Sequence, residues 1–200
     1  MVLSSKVKKL QSRMKRVPLR FENLQQIAGD EKLAVVILTD EARQRALSVV
    51  CDADMCRQLL MRLRGNKDVC RTMLPEALLQ LLPSEYEMTI VGVYNGQYQV
   101  MLMDMKSGES VRVRTSDGVL LSIISSIPLY IEERLMARQS VPFDEHAKGV
   151  SIPINAMETQ RLKAALKEAV EEENYELASQ LRDEIRRRSP QAPFSTITTT

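Results

Sequence analysis

A short stretch near the middle of the chain combines two arginines with a hydroxyl and a carboxylate. Residues 111–114 read Val-Arg-Val-Arg, and in a strand this alternation puts both guanidiniums on one side, about 7 Å apart. Thr-Ser-Asp-Gly follows, with Ser116 as the expected N-cap of a helix and Asp117 in its first turn. The N–H groups of a helix start, together with Arg112 and Arg114, suit a phosphate, and Asp117 is placed to hold a cation.

The same residues also have a purely structural explanation. Ser-Asp is typical of helix starts in general, and surface arginines usually pair with neighbouring acids. From spacing alone the structural role is the more frequent one.

The elements around this stretch predict an α+β domain. Apolar runs predict strands at 17–23, 33–39, 46–51, 86–94, 97–105, 111–114 and 129–131. Asn95-Gly96 between two of these runs is the strongest short hairpin signal in the chain. Helices are predicted from 52 to 63, from 75 to 82, over 119–124 and from 132 onward. We therefore expect a mixed, largely antiparallel sheet with packed helices.

Two further carboxylates, Asp52 and Asp54, open the first predicted helix. Acids at a helix start commonly cap it, and this is the favoured explanation here. As metal ligands they would need partners from elsewhere in the fold.

Composition and charge exclude several classes of protein. The 200 residues are 44% hydrophobic, enough for one core, while 28 basic and 26 acidic residues give a net charge of +2. Binding of nucleic acid would therefore depend on local patches rather than on bulk charge. We find no apolar run near the roughly 18 residues of a membrane span and no leader-like segment, so we expect a cytoplasmic protein without membrane contact.

The cysteines do not form a recognisable framework. Cys51, Cys56 and Cys70 are irregularly spaced, and His146 is the single histidine. This pattern fits neither paired disulfides nor a zinc finger. Buried, reduced thiols are the expected state.

The two ends of the chain differ from its middle. Residues 1–20 carry seven basic residues and no acid, so 1–16 is interpreted as a solvated basic arm, with a basic amphipathic helix that touches nucleic acid as the alternative. Residues 139–158 are polar with prolines and a glycine and predict a linker. Residues 189–200 are uncharged and aperiodic and predict a disordered tail.

Residues 159–188 predict an α-helical hairpin. Its apolar positions form one stripe in each helix, Leu162, Leu166, Ala169 and Val170 in the first and Ala178, Leu181 and Ile185 in the second. Asn174 is placed to cap the second helix. A hairpin this short has little core of its own, so we expect its stripes to bury against a partner, another copy or the main domain.

The hairpin resembles the UVR motif, which is found in bacterial excision-repair subunits and in some chaperone and kinase-adaptor proteins. The match lies in Tyr175-Glu-Leu-Ala178 and Leu181-Arg-Asp-Glu-Ile185. The resemblance implies docking to another protein, with the contact residues Leu162, Leu166, Tyr175, Ala178, Leu181, Arg182 and Ile185.

The region from about 17 to 138 resembles the bifunctional nuclease family, whose members are credited with DNase and RNase activity. Arg114-Thr-Ser-Asp-Gly118, the apolar helix and Pro128-Leu-Tyr130 correspond to the family's Arg-x-Ser-Asp-Ala, helix and Pro-Ile-Tyr signature. Three positions depart from it. Where the family has Thr-His-Asp-Leu, this chain has Thr72-Met-Leu74, without His or Asp. Cys51 stands where the family has a glycine after the third strand, and Gly118 stands where the family has an alanine after Ser-Asp.

The leading hypothesis is a nuclease acting on DNA or RNA. Arg112 and Arg114 would hold phosphate, and Ser116, Asp117 and Asp54 would form the catalytic set, with Asp117 and Asp54 holding Mg²⁺ or Mn²⁺. The alternatives on the same fold are an inactive adaptor that works through the hairpin and a nucleic-acid-binding regulator that uses the basic arm. A homodimer is expected, since a small sheet domain has apolar surface to cover.

Overall fold

The computed structural model describes residues 15–27, 30–65, 70, 73–81, 85–145 and 152–188. Most of the predicted basic arm and the whole predicted tail lie outside these residues. The chain divides into two compact units: one runs to Pro153 except for the turn Asn95–Gln97, and the other combines that turn with the chain from Ile154 onward. None of the described helices is long and apolar enough to cross a membrane.

The first unit is built on an eight-stranded sheet with the strand order β6-β5-β4-β7-β1-β2-β3-β8. In chain order its elements are β1 (Arg16–Ile27), β2 (Asp30–Asp40), β3 (Arg45–Asp52), α1 (Ala53–Leu63), α2 (Leu74–Leu81), β4 (Tyr86–Tyr94), β5 (Gln97–Asp104), β6 (Ser110–Arg114), α3 (Thr115–Ile124), β7 (Leu129–Glu132), α4 (Glu133–Gln139) and β8 (Val141–Pro142). Strand β7 pairs antiparallel with β1 and parallel with β4. The predicted α+β class with a mixed, largely antiparallel sheet is confirmed.

Local sequence explains most of these elements. Asn95 and Gly96 have φ values of 49° and 81°, the left-handed pair that a tight two-residue hairpin turn requires. Strand β2 is buried on both faces, because Val36 and Leu38 face one side of the sheet while Val35 and Ile37 pack in a second cluster with Phe143 and Ile152. Double burial accounts for the continuous apolar run of this strand.

The segment from residue 139, expected to be an irregular linker, contains the end of α4 and the strand β8. Val141 and Pro142 in β8 pair with Ala46 and Arg45 of β3. Arg45 also donates from Nη2 to the carbonyl oxygen of Ser140 over 2.6 Å. These partners are remote in the chain, so composition did not reveal the pairing.

The sheet curves around α3. Strands β6 and β3 have five strands between them in the sheet order, yet α3 contacts both. This curvature brings the C-terminal ends of β3 and β6, each followed by a helix, toward the same place.

The second unit contains a 3₁₀ turn (Ile154–Ala156), α5 (Thr159–Glu171) and α6 (Tyr175–Arg188). Asn174 Oδ1 accepts a hydrogen bond from the Leu177 amide over 3.2 Å, so the predicted cap is confirmed. Arg188 connects the end of α6 to the segment before α5. It donates to Glu184 Oε1 over 2.7 Å and to the Met157 carbonyl oxygen over 2.6 Å.

The apolar stripes of the hairpin face each other. Their buried residues form one cluster, Leu162, Ala169, Ala178 and Leu181, which Ile154, Met157, Ala165, Leu166 and Ile185 extend. The expectation that the stripes bury against a partner, another copy or the main domain is therefore corrected, because the two stripes and the residues around the 3₁₀ turn pack on each other in one small core. Val170, assigned to a stripe, is 52% exposed.

Candidate functional site

The junction between β6 and α3 carries most of the predicted site. Helix α3 begins at Thr115, and Arg114, with extended backbone angles, occupies the N-cap position without a side-chain capping bond. The Thr115 hydroxyl donates to the Tyr98 carbonyl oxygen of β5 over 2.8 Å. The prediction of Ser116 as N-cap is therefore wrong by two positions, because Thr115 is already helical and is tied to the neighbouring strand. Asp117 lies in the first turn, as expected.

Arg114 and Asp117 form a two-point ion pair. Arg114 Nε donates to Asp117 Oδ2 over 2.8 Å, and Nη2 donates to Oδ1 over 3.1 Å. The planar guanidinium fork matches the two oxygens of a carboxylate, and it matches two oxygens of a phosphate equally well. Asp117 raises the pKa of Arg114, first through this hydrogen bond and then through its charge.

A third charged residue, Asp52, faces the same guanidinium. Its Oδ2 lies 3.8 Å from Arg114 Nη1, while its Oδ1 accepts a hydrogen bond from the Met55 amide over 2.7 Å and caps α1. The N-termini of α1 and α3 thus converge on Arg114. The sequence identified Asp52 as a cap and missed its second contact, because no spacing rule connects residues this far apart in the chain.

The other two predicted site residues with charged side chains are Asp54 and Arg112. Asp54 pairs with Arg57 one helical turn further along α1, so Asp54 and Asp117 each pair with a different arginine. Arg112 is exposed on β6, and the register of β6 with β5 puts it on the same side of the strand as Arg114. The described residues contain no group of three or more His, Cys, Asp or Glu side chains able to hold a metal. A cation shared by Asp54 and Asp117 stays a prediction.

The ion pairs of this junction are open to solvent. The Arg114 side chain is 68% exposed and that of Asp52 is 53% exposed. Exposed pairs contribute about 0–1 kcal/mol each to stability, so separating them requires little free energy. Loss of the pairing between Arg114 and Asp117 would therefore cost the fold little stability.

The scaffold behind the junction is closely packed. Val119 of α3 is fully buried, and a Cβ atom at Gly118 would lie 3.3 Å from Val100 Cγ1 of β5. The absence of a side chain at this position lets the first turn of α3 approach the sheet. The charged first turn therefore lies on a closely packed base.

The residues predicted to dock a partner divide into two groups. Leu162, Ala178 and Leu181 are buried, and Leu166 and Ile185 are partly buried, all within the hairpin's own core. Tyr175 and Arg182 are exposed. The large exposed apolar residues of the hairpin, Val170, Tyr175 and Leu177, lie on either side of the turn between α5 and α6.

Two family models match the chain, one in each unit. The family model of the bifunctional nuclease domain matches residues 36–144, more than half of the chain. The UvrB/uvrC motif matches residues 158–187. No curated protein matches the chain. Asp52, Asp54, Arg112, Arg114, Ser116 and Asp117 all fall within the first match.

Proposed function

Since the chain belongs to the bifunctional nuclease domain family and carries a UvrB/uvrC motif, we propose that it hydrolyses phosphodiester bonds of DNA or RNA at the β6–α3 junction. The observation that carries this proposal is the position of Arg114. Its guanidinium faces Asp117 and Asp52, at the converging N-termini of two helices. Fixed positive charge beside oriented N–H groups is what a phosphate requires.

Arg112 and Arg114 bind the scissile phosphate in this proposal. Arg114 exchanges its exposed pairing with Asp117 for two phosphate oxygens, and Arg112, from the same side of β6, neutralises the remaining charge. Ser116, in the first turn of α3, donates its hydroxyl to a phosphate oxygen. Once Arg114 has turned to the phosphate, the Asp117 carboxylate is released.

The released Asp117 is the proposed ligand for Mg²⁺ or Mn²⁺, together with Asp54. Carboxylate oxygens suit both ions. When bound, such an ion would polarise the phosphate and lower the pKa of a water molecule. Asp52 adds a further carboxylate facing Arg114. Because Asp54 pairs with Arg57, its availability depends on breaking a second exposed ion pair.

The proposal is tested by cleavage of labelled single- and double-stranded DNA and RNA, with Mg²⁺, with Mn²⁺ and with chelator. We expect Asp117→Asn and Arg114→Gln each to lower the rate at least about tenfold, in line with the loss of one transition-state contact. Matched controls are Glu41→Gln and Arg20→Gln, which disrupt an exposed ion pair elsewhere in the same unit. Wild-type activity in Asp117→Asn would refute the assignment.

A second candidate function, a non-catalytic adaptor, is favoured by the exposed apolar residues at the hairpin turn. Val170, Tyr175 and Leu177 offer a contact surface to a protein partner, and Arg182 lies on the same helix as two of them. The adaptor predicts that Tyr175→Ala in the full chain abolishes capture of a partner that Lys167→Ala, an exposed control, retains. It also predicts no cleavage of any nucleic acid under any metal, which separates it from the nuclease.

A further inference from the structure

Strand β6 forms one end of the eight-stranded sheet, and among the described residues it pairs with β5 alone. The turn that leads into it contains a β-bulge. Asp104 donates its amide to the Glu109 carbonyl oxygen over 2.9 Å, and Gly108 donates to the Asp104 carbonyl oxygen over 2.8 Å. Gly108 has φ 76°, as the first residue of such a bulge requires.

This turn determines which backbone groups of β6 remain free. In an antiparallel pair, residues with inward and outward hydrogen-bonding groups alternate along a strand. Counting from Glu109, Val111 and Val113 bond to β5, opposite Leu102 and Val100. The N–H and C=O groups of Ser110 and Arg112 therefore point away from the sheet.

The outer edge of β6 also exposes apolar surface. Val111 is 56% exposed although it lies in the middle of the strand, and Ser110 and Arg112 beside it are exposed as well. A free strand edge with an exposed β-branched residue is a template for another strand.

We propose that this edge pairs with the same edge of a second copy of the chain, antiparallel and centred on Val111. Ser110 of each copy then stands opposite Arg112 of the other, and each of these two pairs exchanges two backbone hydrogen bonds. The two Val111 side chains meet as a non-hydrogen-bonded pair, the arrangement in which facing side chains come closest.

The charges of β6 select this register over its neighbour. Centring the pair on Arg112 would put the two Arg112 side chains directly opposite each other, and like charges so placed are destabilising. Centring it on Val111 puts Arg112 opposite Ser110 and Arg114 opposite Gly108. No arginine then faces an arginine. The eight strands of each copy join into one sheet, with two β6–α3 junctions beside the symmetry axis.

The test is the solution mass of the full chain, measured by light scattering and sedimentation over a range of concentrations. We expect a concentration-dependent dimer. Val111→Lys and Val111→Glu each place two like charges opposite each other at the axis, and each raises the dimer dissociation constant by about tenfold or more. Mixing the two variants gives a heterodimer, because at position 111 the lysine of one copy then faces the glutamate of the other. Only the register centred on Val111 brings these two positions together.

The matched control is Val170→Lys, since Val170 is a valine of nearly the same exposure, 52%. It leaves the dimer unchanged. A wild-type chain that is monomeric throughout, or a mixture of Val111→Lys and Val111→Glu that stays monomeric, overturns the proposal. So does a dimer that survives Val111→Lys but is lost in Leu78→Lys, which would assign the contact to the exposed leucines of α2.

Discussion

Arg114 Nη1 lies 3.8 Å from Asp52 Oδ2, although the strands that end at these residues have five others between them in the sheet. The second Asp52 oxygen caps α1 through the Met55 amide. One carboxylate therefore connects the start of one helix to the guanidinium that precedes another. Arg114 also pairs with Asp117 in the first turn of α3.

Substitutions at Asp52 separate its capping role from its charge. Asp52→Ala is expected to lower the free energy of unfolding by about 1 kcal/mol, because the Met55 amide loses its acceptor. Asp52→Asn keeps a capping oxygen and is expected to stay within about 0.5 kcal/mol of wild type. Urea unfolding measures both. The control is Asp54→Ala, which removes an exposed pair and a first-turn acid but no capping oxygen. Equal losses for the alanine and asparagine variants at 52 would contradict the capping role.

Thr115→Val tests the bond that sets the start of α3. The isosteric change leaves the buried Tyr98 carbonyl oxygen without the hydrogen bond from the Thr115 hydroxyl, at an expected loss of about 1–2 kcal/mol. Ser116→Ala, one residue further, is expected to cause no such loss. Denaturant unfolding of both variants provides the comparison, and equal stability of Thr115→Val and wild type would show that the hydroxyl contributes nothing.

The ion pair between Arg62 and Glu76 predicts how stability depends on pH. Arg62 donates to both Glu76 oxygens over 2.6 and 2.8 Å, and the Arg62 side chain is 4% exposed. This hydrogen bonding lowers the pKa of Glu76 below its usual value. A carboxylate with a lowered folded-state pKa contributes stability above its ordinary pKa, 4.5 for Glu76, and loses it as the pH falls through the folded value.

Glu76→Gln should therefore destabilise the protein at pH 7, by about 2 kcal/mol, because Arg62 keeps its burial and loses its counter-charge. Urea unfolding between pH 7 and pH 3 measures the effect. The difference from wild type is expected to shrink as the pH falls below about 4.5. Glu41→Gln, at an exposed pair, should show neither effect. A difference that is the same at both ends of the pH range would contradict the ionic role of Glu76.

The rate at which the cysteine thiols react with a thiol reagent measures unfolding. Burial, with smaller contributions from Cys56 and Asp52, raises the pKa of Cys51 to about 12, and all three cysteines are buried and free. Since the thiolate is the reactive form, Cys51 should react with Ellman's reagent at pH 8 at least about a hundredfold more slowly in the native protein than in urea. Three thiols should be available in urea. Immediate reaction of all three without denaturant would contradict the packing.

The hairpin core and its exposed turn respond differently to substitution. Leu181, 1% exposed, lies between the two helices, so Leu181→Ala is expected to cost about 2–5 kcal/mol. Tyr175→Ala, at the exposed turn, is expected to change stability by less than about 0.5 kcal/mol. Hydrogen exchange of the α5 and α6 amides measures both. Protection lost in Tyr175→Ala would place Tyr175 in the core instead of on a contact surface.

The sequence alone determined the features that depend on neighbours in the chain. Alternation and apolar runs located the strands, Asn95-Gly96 specified its turn, and Asn174 specified the start of the last helix, because in each case the interacting groups lie within a few residues. The α+β class followed from these elements. The motif around Asp117 could likewise be recognised, since its residues are contiguous.

Only the tertiary structure decided which distant groups meet. Periodicity shows that a face is buried but does not identify what covers it. The stripes of the hairpin therefore turned out to cover each other, and β8 joined β3. The start of α3 depended on the hydrogen bond from Thr115 to a carbonyl oxygen of β5. Rules for helix caps consider only residues adjacent in the chain and so do not predict it. The pairing of Arg114 with Asp52 required the curvature of the whole sheet, because ion pairs depend on distance in space and not on separation along the chain.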